Sequence, residues 1–332
     1  MERAAREKRT ARNTVQAHRQ GKMQDRLITV IGGGGFLGRY IVQTLLARGA
    51  RVRIAQRDPK QALYLKPLGG LGQTQFVAAD VRRPDTLARA IAGSDAVVNL
   101  VGILAGDFQA IQADGARHVA EAAAAAGVGA LVHMSAIGAD PESPSAYGRT
   151  KGLGEAAVHA AFPQATILRP SIVFGREDGF LNRFAGLIVS APVVPVVRGV
   201  ARFQPVYVAD VAEAVARALA LPAEHGCRTY ELGGPDIMSM RALIGWIAAT
   251  IGRQPAIIDL PDIVSAMIAR FGFLPGAPIT WDQWLMLQSD NVVGAGCGTL
   301  ADLGVTPTPL DAVAPTWLVR FRKHGRFTQV AA

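Results

Sequence analysis

The chain has 332 residues, of which 50% are hydrophobic and 18% are charged, so it can bury a sizeable core. Its formal charge of +9 is uneven, because residues 1–26 hold eight Arg or Lys residues against three acids. The rest of the chain carries only a modest excess of positive charge, which gives no case for nucleic-acid binding. No apolar stretch reaches the roughly 18 residues that read as a membrane-spanning helix.

The basic stretch 1–26 lacks the apolar core and the cleavage pattern of a secretory signal. We expect a flexible arm that meets acidic lipid or an acidic partner. The alternative is an extension ahead of a protein that naturally begins at Met23. Both interpretations predict disorder here.

Cysteine and histidine usage argues against a metal centre. Cys227 and Cys297 are far apart and lack metal-ligand spacing, so we predict buried free thiols in a reducing compartment. The six histidines do not cluster along the chain, and no metal site is predicted.

A glycine-rich turn organises the first part of the chain. The β-branched run Leu27–Ile31 predicts a buried parallel strand, and residues 36–46 predict a helix. Between them, Gly32, Gly35 and Gly38 form a G-x-x-G-x-x-G array. Such a turn points backbone N–H groups and the helix dipole at one spot, where glycine lets a diphosphate approach. A glycine turn can be purely structural, but this position favours dinucleotide binding.

Strand and helix patterns alternate after this turn, which predicts an α/β fold with a Rossmann-type, doubly wound parallel sheet. Further strands are predicted at 51–57, 75–80, 96–101 and 130–135, and residues 166–175 are predicted to be the sixth strand and its exit. A helix ended by Gly127 is predicted at 110–126. We expect a nucleotide domain over 27–175, with later strands returning to it near 204–212. A smaller, partly helical C-terminal region is expected over 176–327.

The end of the second predicted strand bears on cofactor choice. Arg57 comes first there, and a guanidinium suits the 2′-phosphate of NADP(H) by charge and by geometry. Asp58 follows and keeps NAD(H) as an alternative, because a carboxylate there accepts hydrogen bonds from the adenosine ribose. The third alternative is an exposed arginine in a turn.

Two further strand ends are predicted to face the cofactor. Asp80 and Val81 end the third strand, near the expected adenine edge, although Asp80 is equally suited to cap a helix beginning near residue 84. Gly102 follows the fourth strand as a second glycine at which the cofactor comes close.

Tyr147 and Lys151 are candidates for the chemistry of the site. They are four residues apart, so on a helix both point from one face. We expect the ammonium, together with a nicotinamide ring, to lower the pKa of the phenol, which then exchanges a proton with a substrate oxygen during hydride transfer. Lys151 would also reach the ribose hydroxyls. The pair is a weak signal alone and gains weight from its place after the fifth strand.

The C-terminal region mixes short elements with apolar stretches. We predict an extended loop at 191–197, because of Pro192 and Pro195, and a helix through residue 221 that Asp210 caps. Further predictions are short strands at 205–208 and 230–234 and a helix at 240–251 with Leu243, Ile244 and Ile247 inward.

The stretch 255–279 is unusually apolar, and a helix is predicted to begin at Asp262. One interpretation is a helix that covers the core. The other is an exposed surface for a quinone-like substrate, a lipid surface or a partner subunit. Trp281, Trp284 and Trp317 suit both interpretations.

The sequence resembles the extended short-chain dehydrogenase/reductases, through the glycine array at 32–38 and Y-x-x-x-K at 147–151. More narrowly, it is similar to an atypical branch, the nucleotide-binding accessory subunit of respiratory complex I and its bacterial relatives. This resemblance covers about residues 27–327. The stretches that carry it are LKPLGGLGQ at 65–73, SPSAYGRTK at 143–151, LRPSIVFGREDGFLNRF at 168–184 and QPVYVADVA at 204–212.

The resemblance implies a bound NADP(H) or NAD(H), with NADP(H) preferred. It implies that the cofactor is contacted by Gly32, Gly35, Phe36, Leu37, Gly38, Arg57, Asp80, Tyr147 and Lys151, and that the stretch from Pro170 to Val173 passes the nicotinamide end. It also implies complex I subunits as partners, and a cytoplasmic protein that lies peripherally on the inner face of the respiratory membrane.

One residue departs from the pattern of active relatives. These usually carry a Ser or Thr near the end of the fifth strand that holds the substrate carbonyl. Ser135 is the candidate here, but the register places Ala136 in that position. If Ser135 points into the fold, the catalytic set of Ser135, Tyr147 and Lys151 lacks its hydroxyl, and turnover is weak or absent.

Three functions follow from these features. The first is an accessory protein that keeps the nucleotide as a structural ligand. The second is an active NADP-dependent oxidoreductase on an apolar substrate in ubiquinone metabolism. The third is a nucleotide-sensing regulator without chemistry.

Overall fold

The structure is a computed structural model that describes residues 23–274 and 279–327. Its strands are, in chain order, β1 (Leu27–Ile31), β2 (Arg51–Gln56), β3 (Thr74–Ala78), β4 (Ala96–Asn99), β5 (Leu131–Met134), β6 (Thr166–Pro170), β7 (Val173–Phe174), β8 (Val193–Val197), β9 (Arg202–Phe203), β10 (Val206–Tyr207), β11 (Thr229–Leu232), β12 (Met238–Ser239) and β13 (Ala256–Leu260).

The helices are α1 (Phe36–Ala47), α2 (Pro84–Ile91), α3 (Asp114–Ala125), α4 (Ala146–Ala161), α5 (Leu181–Ser190), α6 (Val208–Ala220), α7 (Pro222–His225), α8 (Met240–Thr250), α9 (Asp262–Arg270), α10 (Trp281–Met286), α11 (Leu310–Val313) and α12 (Pro315–Leu318). A 3-10 helix at Pro59–Leu68 and a π turn at Gln109–Ala113 join them.

The main sheet is parallel and doubly wound, as predicted. Its order is β3-β2-β1-β4-β5-β6-β11, so the chain builds outward in both directions from β1 and β4. Buried apolar side chains of α1 and α6 pack on one face, and those of α2, α3 and α4 pack on the other. A crevice therefore opens at the carboxyl ends of β1 and β4, where this class of sheet binds its ligands.

A second core lies in the C-terminal region. It includes Phe174, Leu181 and Leu318, together with Leu243, Ile244 and Ile247 of α8, which point inward as predicted. Around it lie the two-stranded pairs β7 with β10, β9 with β12, and β8 with β13.

The prediction of a loop at 191–197 is wrong, because β8 pairs in parallel with β13. Pro195 is compatible with this strand because it lies on the exposed side of a two-stranded sheet, in which every strand is an edge. The sixth strand predicted within 166–175 is β6, and its exit contains a separate short strand, β7, which pairs with β10 instead of the main sheet.

Two predicted helix caps are wrong as well. Asp210 lies inside the first turn of α6 and accepts hydrogen bonds from the Thr308 amide, at 2.6 Å, and its hydroxyl, at 2.9 Å. Asp80 does not cap α2. The N-cap residue of this helix is Arg83, and no described side chain caps it. The Gly127 stop is confirmed, with φ at +65°.

The N-terminal prediction lies mostly outside the described residues, which begin at Met23. Met23 is fully buried in the main core, and the Arg26 guanidinium donates to the carbonyl oxygen of Leu219 at 3.0 Å. The thiols of Cys227 and Cys297 are free, but both residues are exposed, so the prediction that they are buried is wrong.

Helix α9 presents most of its apolar side chains to solvent. Only Ser265 and Ala269 are buried in it, whereas Ile263 is 77% and Met267 60% exposed. The interpretation of α9 as a helix that covers the core is therefore wrong for its exposed side. We call the outward set the apolar face; it comprises Ile263, Val264, Met267, Phe271, Phe273 and Leu274. Within 23–274 and 279–327, no helix has the length and apolar character needed to cross a membrane.

Candidate functional site

The predicted site residues gather at the carboxyl edge of the main sheet. The glycine turn follows β1, Arg57 follows β2, and Asp80 follows β3 after one intervening residue. Ser135 follows β5 directly, and Pro170 ends β6. Because parallel strands end at the same edge, the fold brings these residues to one crevice.

The glycine turn has two glycines that the protein itself requires. Gly32 has φ at +79°, which favours glycine, and its amide donates to the Ala55 carbonyl oxygen at 2.8 Å. A Cβ on Gly38 would lie 2.3 Å from the carbonyl oxygen of Gly33, so only glycine lets α1 pack this closely.

Gly35 differs, because a Cβ there would meet only the Gly32 oxygen, at 3.5 Å. Packing within the protein therefore does not explain this glycine. Gly35 is the N-cap residue that precedes α1, and no described side chain caps the helix. The first-turn amides, on Phe36 and Leu37, belong to a helix end that favours an anion.

Arg82 holds the Asp80 carboxylate at the expected adenosine end. The Arg82 amide and Nε both donate to Oδ1 at 3.0 Å. The hydrogen bonds from Arg82, with a smaller effect of the Arg57 charge, lower the pKa of Asp80 to about 2. Sequence reasoning missed Arg82, although its place two residues after Asp80 is typical of a local side-chain turn.

Val81 lies between Asp80 and Arg82 in the sequence and is buried. Its carbonyl oxygen is 2.8 Å from His118 Nδ1, and its side chain packs where a Cβ on Gly115 would stand. Asp58 is used by the fold, since its carboxylate accepts from the Lys60 amide at 3.0 Å and caps the 3-10 helix. Arg57 is exposed.

Tyr147 and Lys151 lie on α4, as predicted. Lys151 is only 4% exposed, and its Nζ donates to the Met134 carbonyl oxygen at 3.0 Å. Burial lowers the pKa of Lys151 to about 8. Gly102 borders this group, because a Cβ there would lie 3.2 Å from Lys151 Nζ.

The protein alone raises the pKa of the Tyr147 phenol, and its lowering by Lys151 together with a nicotinamide ring stays a prediction. Burial, followed by the negative charge of Asp282, raises the pKa of Tyr147 to about 12. The Tyr147 ring makes an edge contact with Phe108, at 6.1 Å between centroids. Tyr147 is therefore a phenol in the protonated form at neutral pH.

Three buried polar atoms close to Lys151 in the fold have no hydrogen-bond partner among the described residues. They are Gln112 Oε1, His133 Nε2 and Ser135 Oγ. Burial and the Lys151 charge lower the pKa of His133 to about 3, so its ring is neutral, and its Nδ1 lies 3.1 Å from Asn99 Nδ2. Unpartnered buried atoms of this kind are unusual in a finished core and mark a polar site.

Ser135 and Ala136 differ in burial at the end of β5. Ser135 is 4% exposed, and its amide donates to the Leu168 carbonyl oxygen at 2.7 Å. Ala136 is partly exposed. Pro170 is buried, its carbonyl oxygen accepts from the Ile137 amide at 3.1 Å, and Val173 is partly exposed in β7.

Arg169 of β6 ties the middle of α4 to the sheet. Its guanidinium donates to Glu155 of α4 at 2.8 and 2.6 Å and to Glu231 of β11 at 3.4 Å. The three residues are mostly buried, so removal of one partner would leave an uncompensated charge. This network fixes the part of α4 that follows Lys151.

The residues present fit a nicotinamide dinucleotide. The uncapped start of α1 beside the open side of Gly35 suits the diphosphate. The exposed guanidinium of Arg57 suits a phosphate on the adenosine ribose. The unpartnered oxygen of Gln112, near Lys151, suits the polar groups of the other ribose. Among the described residues, no cluster of three His, Cys, Asp or Glu side chains has the arrangement of a metal site.

Comparison with known proteins agrees with this geometry. Residues 28–233 match the NAD dependent epimerase/dehydratase family. The chain is 36% identical over 305 residues to NADH dehydrogenase [ubiquinone] 1 alpha subcomplex subunit 9, mitochondrial, of Rattus norvegicus, covering 89% of this chain and 80% of that protein. It is also 31% identical over 248 residues to the ceramide reductase of Caulobacter vibrioides, covering 71% of this chain and 74% of that protein.

A solved structure has the same fold. The NADPH-dependent quinone oxidoreductase of Escherichia coli, complexed with NADPH, aligns with a TM-score of 0.72 and 22% identity over 88% of this chain and 99% of that one. The chain thus belongs to the NAD dependent epimerase/dehydratase family, with the alpha subcomplex subunit 9 proteins of NADH dehydrogenase among its relatives.

Proposed function

We propose that this chain is an accessory protein that holds NADP(H) as a structural ligand, which is the first of the three functions inferred from the sequence. The uncapped start of α1 at Gly35 carries this proposal, because among the described residues only the Gly32 oxygen, at 3.5 Å, lies on the side where other residues have a Cβ. A diphosphate there would accept hydrogen bonds from the amides of Phe36, Leu37 and Gly38. A ligand that binds only the folded chain stabilises it.

The remaining contacts follow the crevice. Arg57 would bind the 2′-phosphate, Asp80 and Val81 would border the adenine, and Lys151 and Tyr147 would bind the nicotinamide ribose. Gly102, Pro170 and Val173 would complete the nicotinamide end. When bound, the nicotinamide supplies hydride chemistry; the chain's own contribution is to bind, orient and shield it.

The preference for NADP(H) over NAD(H) rests on Arg57 and Asp58. Asp58 already accepts hydrogen bonds from the Lys60 amide and from Gln61 Nε2, at 3.0 and 3.2 Å. These two contacts give the Asp58 carboxylate a structural role at the start of the 3-10 helix. Arg57 is exposed and suits a phosphate by charge and shape.

Weak turnover is proposed from the end of β5. The buried Ser135 is poorly placed to hold a substrate carbonyl, and Ala136 has no hydroxyl. A positioned donor at this place contributes orders of magnitude to rate. The chain would therefore keep the nucleotide without using it rapidly.

The apolar face is proposed as the docking surface, and complex I subunits at the membrane are the proposed partner. Phe273 is 79% exposed and Ile263 77%, and six such side chains in one segment are more than scattered surface residues. The relatives named for NADH dehydrogenase are mitochondrial. We place this chain at the inner face of the respiratory membrane, held by this face.

Mass spectrometry of the nucleotide released from natively purified protein tests the proposal. NADP(H) near one per chain is the expected result, with little NADPH oxidation when quinones are added. Purification from membranes with complex I subunits is the expected companion result. Rapid oxidation of the bound NADPH by a quinone or ketone would overturn the structural role.

The second candidate function is an NADP-dependent reductase for an apolar substrate. It is favoured by the retained Tyr147 and Lys151 and by the similarity to a ceramide reductase. The protonated Tyr147 would then deliver its proton to the substrate oxygen. NADPH oxidation with long-chain ketones and with quinones, in wild type and in Tyr147→Phe, separates the two functions, because only the reductase loses turnover in the variant.

A further inference from the structure

Helix α4, which bears Tyr147 and Lys151, begins against a carboxylate from the C-terminal region. Asp282 accepts hydrogen bonds from the Ala146 amide at 2.6 Å, the Tyr147 amide at 3.2 Å and the Ser145 hydroxyl at 3.1 Å. Ser145 also caps the helix locally, since its Oγ accepts from the Gly148 amide at 3.2 Å. The first turn of α4 thus depends on a group 136 residues away from Ala146.

Asp282 is not needed to form its own helix. Thr280 and Gln283 already make a complete capping box at the start of α10. The Asp282 carboxylate is therefore directed at α4, where an acid at the N-terminus also interacts favourably with the helix dipole.

The short helix α10 packs against α9, the helix that carries half of the apolar face. Arg270, at the end of α9, lies over the Trp281 ring at 5.0 Å, and Trp281 stacks on Trp284 at 4.9 Å. Trp281 is exposed and the residues Asp282–Met286 are half-buried, so α10 lies at the surface. The three hydrogen bonds of Asp282 attach this surface helix to the start of α4.

We propose that Asp282 is a positioning residue that couples the nicotinamide end of the site to the apolar face. Asp282 holds the first turn of α4 and thereby sets Tyr147 against the ribose; in turn, a bound nucleotide holds residues 280–290 in place. This inference rests on the proposed binding of NADP(H). Because coupling between two sites is reciprocal, a nucleotide that binds more tightly when residues 280–290 are docked must stabilise that docking by the same free energy.

The test combines NADPH titration calorimetry with hydrogen exchange in the full-length protein. In wild type, NADPH is expected to slow amide exchange over 280–290 several-fold. In Asp282→Ala this protection disappears and NADPH binds about 5- to 20-fold more weakly, within the usual range of coupling between sites. Asp282→Asn keeps one acceptor oxygen, so intermediate values are expected.

Asp290→Asn is the matched control. Asp290 lies in the same C-terminal stretch but pairs with Arg202, at 2.7 Å, and does not contact α4. It should retain wild-type NADPH affinity and wild-type protection. Circular dichroism and thermal unfolding verify that each variant folds, and Asp282→Asn serves if the alanine variant does not.

The outcomes separate the inference from the function on which it rests. If wild type binds NADPH but Asp282→Ala binds it equally well with the same protection of 280–290, the coupling is wrong and the nucleotide function stands. If wild type binds no nicotinamide nucleotide, the proposed function is wrong and the coupling falls with it.

Discussion

Lys151 donates a 3.0 Å hydrogen bond to the carbonyl oxygen of Met134 while almost wholly removed from solvent. Burial lowers the pKa of this ammonium from 10.5 to about 8, which corresponds to roughly 3 kcal/mol of unfavourable burial. An arrangement that costs stability in this way is typical of a site kept for ligand binding.

Lys151→Met should therefore stabilise the nucleotide-free protein while it weakens NADPH binding. We expect unfolding free energy to rise by about 1–3 kcal/mol at pH 7, because the buried charge is removed and an apolar chain replaces it. Urea unfolding and calorimetry measure the two effects. A variant that is less stable and binds NADPH normally would contradict the role of Lys151.

The same residue predicts a pH dependence. Between pH 8 and 10.5 the unfolded chain keeps the Lys151 proton while the folded chain loses it, so the unfolded state binds more protons. Stability contributed by this residue should rise with pH across that window. The difference in unfolding free energy between wild type and Lys151→Met should shrink there, as followed by urea unfolding at several pH values.

Gly35→Ala should impair ligand binding, whereas Gly38→Ala should impair the stability of the fold. A Cβ on Gly35 meets only one oxygen, at 3.5 Å, so stability should change by less than about 1 kcal/mol, whereas diphosphate binding should be lost. A Cβ on Gly38 lies 2.3 Å from the Gly33 oxygen and should destabilise the fold by several kcal/mol, roughly as overpacking does. Thermal unfolding with and without NADPH distinguishes them; unchanged NADPH affinity in Gly35→Ala would argue against this cradle.

Arg57→Ala should discriminate between the two nicotinamide dinucleotides. Loss of the guanidinium is expected to weaken NADPH binding about tenfold, the size of one charge-assisted contact, and to leave NADH binding unchanged. Lys60→Ala is a matched control, since Lys60 is an exposed cation three residues away. Equal losses for both nucleotides would mean that Arg57 does not bind the 2′-phosphate.

Ala136→Ser should restore a hydroxyl at the end of β5. If the missing donor limits turnover, NADPH oxidation with a suitable ketone should rise at least about tenfold. Ser135→Ala is the control and should leave turnover unchanged, because Ser135 is only 4% exposed and is poorly placed to reach a substrate carbonyl. Loss of activity in the control would instead identify Ser135 as the substrate hydroxyl.

Polar substitutions on the apolar face should release the protein from membranes. Ile263→Asn with Phe273→Asn is expected to reduce co-purification with complex I subunits several-fold without a change in melting temperature, since both side chains are exposed. Leu71→Asn, an exposed leucine on the nucleotide domain, provides the comparison. Identical membrane association of all three proteins would remove the apolar face as the docking surface.

Local patterns predicted the elements around the site. The β-branched run before Gly32 and the Tyr147–Lys151 spacing depend on residues close in sequence, and both lie in the predicted strand and helix. The tight packing at Gly38 is likewise contained within one turn. Such features can be inferred without knowledge of what lies elsewhere in the chain.

The errors arose where distant residues decide the structure. Pro195 indicated a loop because proline is unusual inside a sheet. The strand β13, with which β8 pairs, lies about 60 residues further along the chain, so local sequence could not reveal the pairing. The apolar pattern of α9 is the same whether it covers a core or faces solvent, and only the neighbouring elements decide between them. Asp282 gave no local sign that it serves α4, and Arg82 was overlooked despite a recognisable turn.

The long separation between Asp282 and α4 bears on biosynthesis. The ribosome releases the strands and helices of the nucleotide domain first, and Asp282 follows Ala146 by 136 residues, or roughly 10 seconds of translation. A nascent chain thus has its phosphate-binding turn well before the start of α4 is secured. The nicotinamide end of the site matures last, after the C-terminal segment has emerged and folded back.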